Sequence, residues 1–166
     1  GVITYAALDT PIGRLLMAKA GGGVCKINLP SKHDSSFFHW LKDHFPEEKI
    51  IEDADSLSVE INQLQQYFDG KRSEFTFSFD LRTTPFRNKA LEKVAKIPFG
   101  KTASYKDIAV QINNKKAVRA VGSANAWNPI PIVIPCHRVI AHDGSLGGYG
   151  GGLTMKKWLL KHENCL

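Results

Sequence analysis

The chain has 166 residues, 43% of them hydrophobic and 23% charged, with a net charge of +6 and three cysteines. That composition fits an ordinary soluble globular protein able to bury one core or two small ones, and no apolar run approaches the roughly 18 residues that span a membrane. Cys25, Cys136 and Cys165 are an odd number at wide spacing, which excludes a disulfide framework and fits a reducing intracellular compartment.

No basic-then-apolar leader opens the chain, so an intracellular protein is expected, cytoplasmic in a prokaryote and nuclear in a eukaryote. There is no CxxC and no HxxxH pair, so no metal is expected. Charge is uneven. Residues 1–80 carry 8 Lys and Arg against 12 Asp and Glu, whereas residues 81–166 carry 14 against 4. A second half at net +10 suits a polyanion such as DNA, although a solvated basic surface has the same composition.

In chain order, Val2–Leu8 and Leu15–Ala18 read as a hairpin, and Gly21-Gly22-Gly23 turns the chain into a third strand, Val24 to Leu29. Ser36 to Phe45 is a short helix candidate. Leu57, Ile61, Leu64 and Phe68 recur at helical spacing before Gly70. Glu74 to Asp80 alternates polar and aromatic residues and predicts a half-buried strand. Residues 1–80 therefore form one α+β domain, and residues 84–166 a second.

That second domain begins with Thr84 as N-cap and Pro85 at the first helical position. Pro98-Phe99-Gly100 ends the helix. Ser104 and Asp107 have capping-box spacing for the next one, whose buried face is Ile108, Ala109 and Ile112. After the turn at Asn113-Asn114, a helix is predicted from Lys115 to Trp127. The pair resembles a helix-turn-helix, and a plain packed helix pair has the same pattern. Gly147 to Gly152 contains five glycines and Tyr149, which lets backbone approach a ligand or simply forms a flexible loop. A last helix runs from Leu153 to Glu163.

Ile134-Pro135-Cys136-His137-Arg138-Val139 carries the chemistry. A thiol attacks as thiolate, and an adjacent imidazole can take its proton. In a strand the two side chains would diverge. Pro135 restricts both itself and Ile134, so the prediction is a strand ending at Ile134 and a turn that brings Cys136 and His137 to one pocket. A lone cysteine is also a common core residue, and the pair by itself leaves both explanations open.

The run Asn128 to Val139 (NPIPIVIPCHRV) resembles O6-alkylguanine-DNA alkyltransferases. Thr84-Pro85-Phe86, Ile97 to Gly100, Ser104-Tyr105, Arg119 to Gly122 and Tyr149 to Leu153 fall in family order beside it. The resemblance covers residues 84–163 densely and residues 1–80 loosely. It implies a ribonuclease-H-like α/β domain followed by a mostly helical, winged-helix-like domain with the helix-turn-helix. It implies irreversible transfer of an alkyl group from O6-alkylguanine in double-stranded DNA to Cys136, with no cofactor, by a monomer. O4-alkylthymine and cooperation between copies on DNA stay open.

Its implied catalytic residues are Cys136 as nucleophile, His137 as base through a water, Glu163 as the carboxylate orienting it, Tyr105 at guanine N3, and Lys156 in support of the charge shift. Asn128, Pro131, Val139, Tyr149 and Gly150 would form the base pocket. Ser104, Lys115, Lys116, Arg119, Ala120 and Gly122 would meet DNA, with Arg119 filling the gap left by a flipped base. Departures include Arg87 and Leu91, where relatives often carry Gln and Trp, and Gly150, where some carry Ser. Cys25 and Cys165 are expected bystanders. Two other functions stay in view: a damage-binding module without chemistry, which the presence of Cys136 disfavours, and a cysteine hydrolase, for which the basic half offers no substrate.

Overall fold

The hairpin forms from β1 (Val2–Thr10) and β2 (Gly13–Ala20), paired antiparallel with Thr10 opposite Gly13. The computed structural model describes all of residues 1–166. β3 (Gly23–Asn28) adds antiparallel to β2, and β4 (Lys49–Glu52), not predicted from sequence, adds parallel to β1. The order is β3-β2-β1-β4. Leu15, Leu16, Met17 and Ala18 are all buried, so the middle of β2 is covered on both faces. Phe37 and Leu41 of α1 (Asp34–His44) pack against Ile3, Leu16, Ala18 and Cys25. A short 3-10 turn at Asp55–Leu57 leads into α2 (Ser58–Phe68), which buries Leu64, Tyr67 and Phe68 as its periodicity predicts.

The strand expected at residues 74–80 does not form. Its aromatics do alternate inward, with Phe75, Phe77 and Phe79 half-buried. The backbone, however, finds a partner only at Val24, through one parallel bridge with Phe79. The Gln63 amide takes the place of a ladder, accepting from Thr76 N at 2.9 Å and donating to its hydroxyl at 2.6 Å.

These elements make one compact unit, Gly1–Arg82, and Thr83–Leu166 makes another. In the second, α3 (Pro85–Val94) starts at the predicted cap, where Thr84 Oγ1 accepts from Arg87 N at 3.3 Å. After β5 (Ala103–Ser104), the capping box at Ser104 and Asp107 is complete and opens α4 (Tyr105–Gln111). The following helix is shorter than predicted. α5 spans Val118–Ala126, and Lys115 and Lys116 lie in the turn before it, where Ala117 N donates to Asn114 O. α4 and α5 pack on each other as a helix-turn-helix. β6 (Val139–Ile140) pairs parallel with β5, and α6 (Leu153–His162) closes the unit. No helix is long and apolar enough to cross a membrane.

Gly23 opens β3 at φ +128, and a Cβ there would collide with the Ser78 carbonyl. Gly21 has open space around it. Gly23→Ala is therefore expected to destabilise by more than about 1 kcal/mol, and Gly21→Ala to change little. Chemical denaturation of the two variants checks the contrast.

Candidate active site

The apolar run before Cys136 is not a strand. Pro129, Pro131 and Pro135 lack the N–H that a ladder needs, and residues 129–135 fold into tight turns with Ile134 N on Ile130 O and one bridge between Pro131 and Ile134. Ile132 sits there at φ +73 and is buried. A β-branched residue in that region is an outlier held by its surroundings. Asn128, just after the C-cap of α5, staples these turns. Its Nδ2 donates to Ile134 O at 2.9 Å and its Oδ1 accepts from Ile130 N at 3.0 Å.

Cys136, His137 and Arg138 form a single 3-10 turn, all three buried. His137 Nε2 and Glu163 Oε2 are 2.7 Å apart, both side chains fully enclosed. Glu163 is the C-cap of α6, a position where the helix dipole disfavours a carboxylate. Arg138 compensates. Its Nε donates to Oε1 at 2.6 Å, its Nη2 to Oε2 at 3.1 Å, and its Nη1 to Ile97 O at 2.7 Å. Burial would push the Glu163 carboxyl up, but the hydrogen bonds from His137 and Arg138 hold it at about 2. Burial lowers the pKa of His137 and the Glu163 carboxylate resists that, so the imidazole is neutral at pH 7. With Nε2–H on Glu163, its Nδ1 is the acceptor, and no protein group bonds it.

Burial pushes the Cys136 thiol up to about 11, while the Asn128 amide and, through space, the Lys156 ammonium pull it down. At pH 7 Cys136 is a protonated thiol. Lys156 is enclosed and donates to the carbonyls of Val139, Leu146 and Gly148. Burial brings its pKa down to about 8. Its protons are committed to backbone, so it clamps the loop after β6 and reaches the thiol only through its field. Tyr105, first residue of α4, is half-buried against Gly147, where φ is +71 and a Cβ would stand 2.9 Å from the phenol oxygen. Tyr149 presents its ring edge-on to His137 at 6.5 Å.

Cys136, His137, Glu163, Asn128 and Tyr149 are thus brought together, with Val139 and Lys156 joined beside them. Pro131 is buried in the turns beneath. Gly150 is exposed, and a Cβ there would meet nothing within 4 Å, so the fold itself does not demand glycine. Lys115 and Lys116 are exposed in the turn before α5 and Arg119 and Ala120 at its start, Gly122 lies near the Tyr105 ring, and Ser104 serves as the α4 cap. Sequence reasoning missed two residues. Arg138 stands inside the quoted motif, and the scarcity of acids after residue 81 was the available signal, since a buried guanidinium there must find one of four carboxylates. Asn125, whose Nδ2 donates to Cys136 O at 3.1 Å, gave no signal. No cluster of three or more His, Cys, Asp or Glu side chains offers a metal site.

Residues 85–165 match the DNA-binding domain of 6-O-methylguanine DNA methyltransferase, and residues 3–81 match that family's ribonuclease-like domain. A methylated-DNA–protein-cysteine methyltransferase of Mycobacterium bovis is 40% identical over 98% of this chain and 93% of its own. The inducible enzyme of that name from Bacillus subtilis is 41% identical over 85% of this chain and 79% of its own. The crystal structure of the Mycobacterium tuberculosis O6-methylguanine methyltransferase superposes with a TM-score of 0.84 at 39% identity, covering 98% and 93% of the two chains. A Mycobacterium tuberculosis OGT in complex with DNA gives the same TM-score at 38% identity, over 96% and 92%.

The buried network makes stability depend on acid. Glu163 is depressed from 4.5 to about 2, so its contribution is complete above pH 4.5 and is lost as pH falls toward 2, on the order of 3 kcal/mol. His137, also lowered, adds a loss that begins below its ordinary 6.5. The stability gap between the protein and Glu163→Gln is therefore expected to narrow between pH 4.5 and 2, measurable by denaturant unfolding across that range.

Proposed function

The chain belongs to the 6-O-methylguanine DNA methyltransferase family through both of its units, and from that membership we propose that it repairs DNA by moving the alkyl group of O6-alkylguanine to Cys136, once per molecule. The sulfur attacks the alkyl carbon from the side opposite O6. The S–C bond forms as the C–O6 bond breaks, and that electron pair stays with the purine. The product is a thioether, too poor a leaving group to regenerate the thiol.

The thiol needs help, because at about 11 it is almost wholly protonated at pH 7. His137 Nδ1 accepts its proton through an intervening water, and the Glu163 carboxylate stabilises the imidazolium that results. Arg138 keeps that carboxylate ionised and aimed. Tyr105 donates a proton at guanine N3 as negative charge builds on the departing base. The two transfers balance, one proton entering His137 and one leaving Tyr105. Cys136 O already holds the Val139 N–H and the Asn125 amide, and Val139 O holds only Lys156 Nζ among side chains, so the exocyclic amine of guanine takes the remaining lone pair of Val139 O. A Gly150 N–H reaches O6.

The target atom lies inside the duplex stack, so the nucleotide must turn out of it, at a cost of a few kcal/mol. Arg119, exposed near the N-terminus of α5, fills the gap from the minor groove. Lys115 and Lys116, on the turn before it, meet phosphates without regard to sequence. Affinity for phosphates without regard to sequence suits a protein that looks for damage.

The observation that carries this reading is the His137 imidazole, the enclosed Glu163 carboxylate and the Arg138 guanidinium joined in one hydrogen-bonded array on the turn that bears Cys136. Incubation with duplex DNA carrying methyl-labelled O6-methylguanine is expected to move the label onto the protein, and Cys136→Ala to abolish the transfer. Label on the Cys136→Ala protein would sink the proposal. His137→Ala and Glu163→Gln are expected to slow transfer about 100-fold or more while binding DNA normally. Arg119→Ala should slow repair of duplex far more than reaction with free O6-benzylguanine, and equal losses on both substrates would contradict the wedge role.

A further inference from the structure

Asn125 is buried in the third turn of the helix whose start carries Arg119, with only 7% of its surface exposed. Its Nδ2 donates to Cys136 O at 3.1 Å, which fixes the orientation of the amide, since only the nitrogen can face a carbonyl. Its Oδ1 is buried without a partner. The Cys136 carbonyl does not need this bond, because Val139 N already donates to it. A half-satisfied buried amide that the fold does not require is a cost to stability. Such residues point to function.

The Tyr105 ring supplies the reason. It packs over Gly122, one helical turn before Asn125 on the same face of α5. The amide lies close enough to favour the ionised phenol, against burial and the neighbouring Cys136, which dominate and raise its pKa. A phenol has one proton to give and an oxygen that also accepts. If the oxygen accepts from Asn125, the proton is left to face the purine.

We propose that Asn125 is a positioning residue for the transfer reaction: its carboxamide links the Cys136 carbonyl to the Tyr105 phenol, orienting the phenol as a donor toward the departing base. The inference rests on the alkyl-transfer reading and on the role given to Tyr105 there. Asn125 touches neither the alkyl group nor the sulfur. It acts through Tyr105, and its effect should vanish when the phenol is gone.

A double-mutant cycle with free O6-benzylguanine tests this. Asn125→Leu should lower the maximal transfer rate about tenfold, a change of one transition-state hydrogen bond, with little effect on the half-saturating concentration. In a Tyr105→Phe background the same substitution should change the rate less than about twofold. The melting temperature of Asn125→Leu should hold or rise, because an unpaired buried oxygen is removed. Asn125→Ala, which also withdraws the donor, carries the same expectation for the rate in the two backgrounds should the leucine variant not fold. Equal losses in both backgrounds, or a rate loss that tracks a lower melting temperature, would overturn the inference and leave the Tyr105 role standing. A Tyr105→Phe protein that transfers at the normal rate would remove the Tyr105 role and the inference with it.

Discussion

A carboxylate with no access to water organises the second unit. Glu163 is enclosed at the end of α6, and three hydrogen bonds from His137 and Arg138 hold it there. An unpaired charge in that place would be strongly destabilising, and breaking such a pair typically costs 3–5 kcal/mol. The arrangement therefore fixes several things at once. It ties the C-terminal helix to the turn that carries Cys136. Through Arg138 Nη1 on Ile97 O, it ties that turn to the segment after α3. It also decides the imidazole's tautomer, leaving Nδ1 as the acceptor.

Electrostatics then explain the resting state. Burial dominates at Cys136 and His137, pushing the thiol up and the imidazole down, so both are neutral at pH 7. A stable thiolate next to an imidazolium would react with any electrophile. A neutral pair does not, which suits a residue that would be consumed by its own reaction. In the proposed reaction, charge appears only as the sulfur begins to bond and its proton passes through the intervening water to His137. Lys156 shapes this environment without joining it, since its three donors hold the carbonyls of the loop and of β6.

Much of this was legible in the sequence where the information is local. The Thr84 cap, the Ser104–Asp107 box and the placing of Cys136 and His137 in one turn follow from neighbouring residues. The α5 boundary failed by three residues because Lys115 and Lys116 are as acceptable in a turn as in a helix. Residues 74–80 carry the right alternation, but a strand also needs a partner edge, and β3 offers only Val24. The turns at residues 129–135 were misread as a strand because apolar runs say little about hydrogen bonding, whereas the prolines do. Arg138 and Asn125 were harder to read as partners, because Glu163 lies 25 residues beyond Arg138 and Cys136 lies 11 beyond Asn125, across irregular turns that no periodicity predicts.

The central claim is that burial keeps His137 neutral at pH 7 while the Glu163 carboxylate fixes its proton on Nε2. The 15N shifts of the imidazole in the free protein, followed against pH, measure this directly. Glu163 is expected to hold Nε2–H and leave Nδ1 bare at pH 7, with protonation deferred below 6.5 by burial. An imidazolium at pH 7, or a proton on Nδ1, would contradict the account.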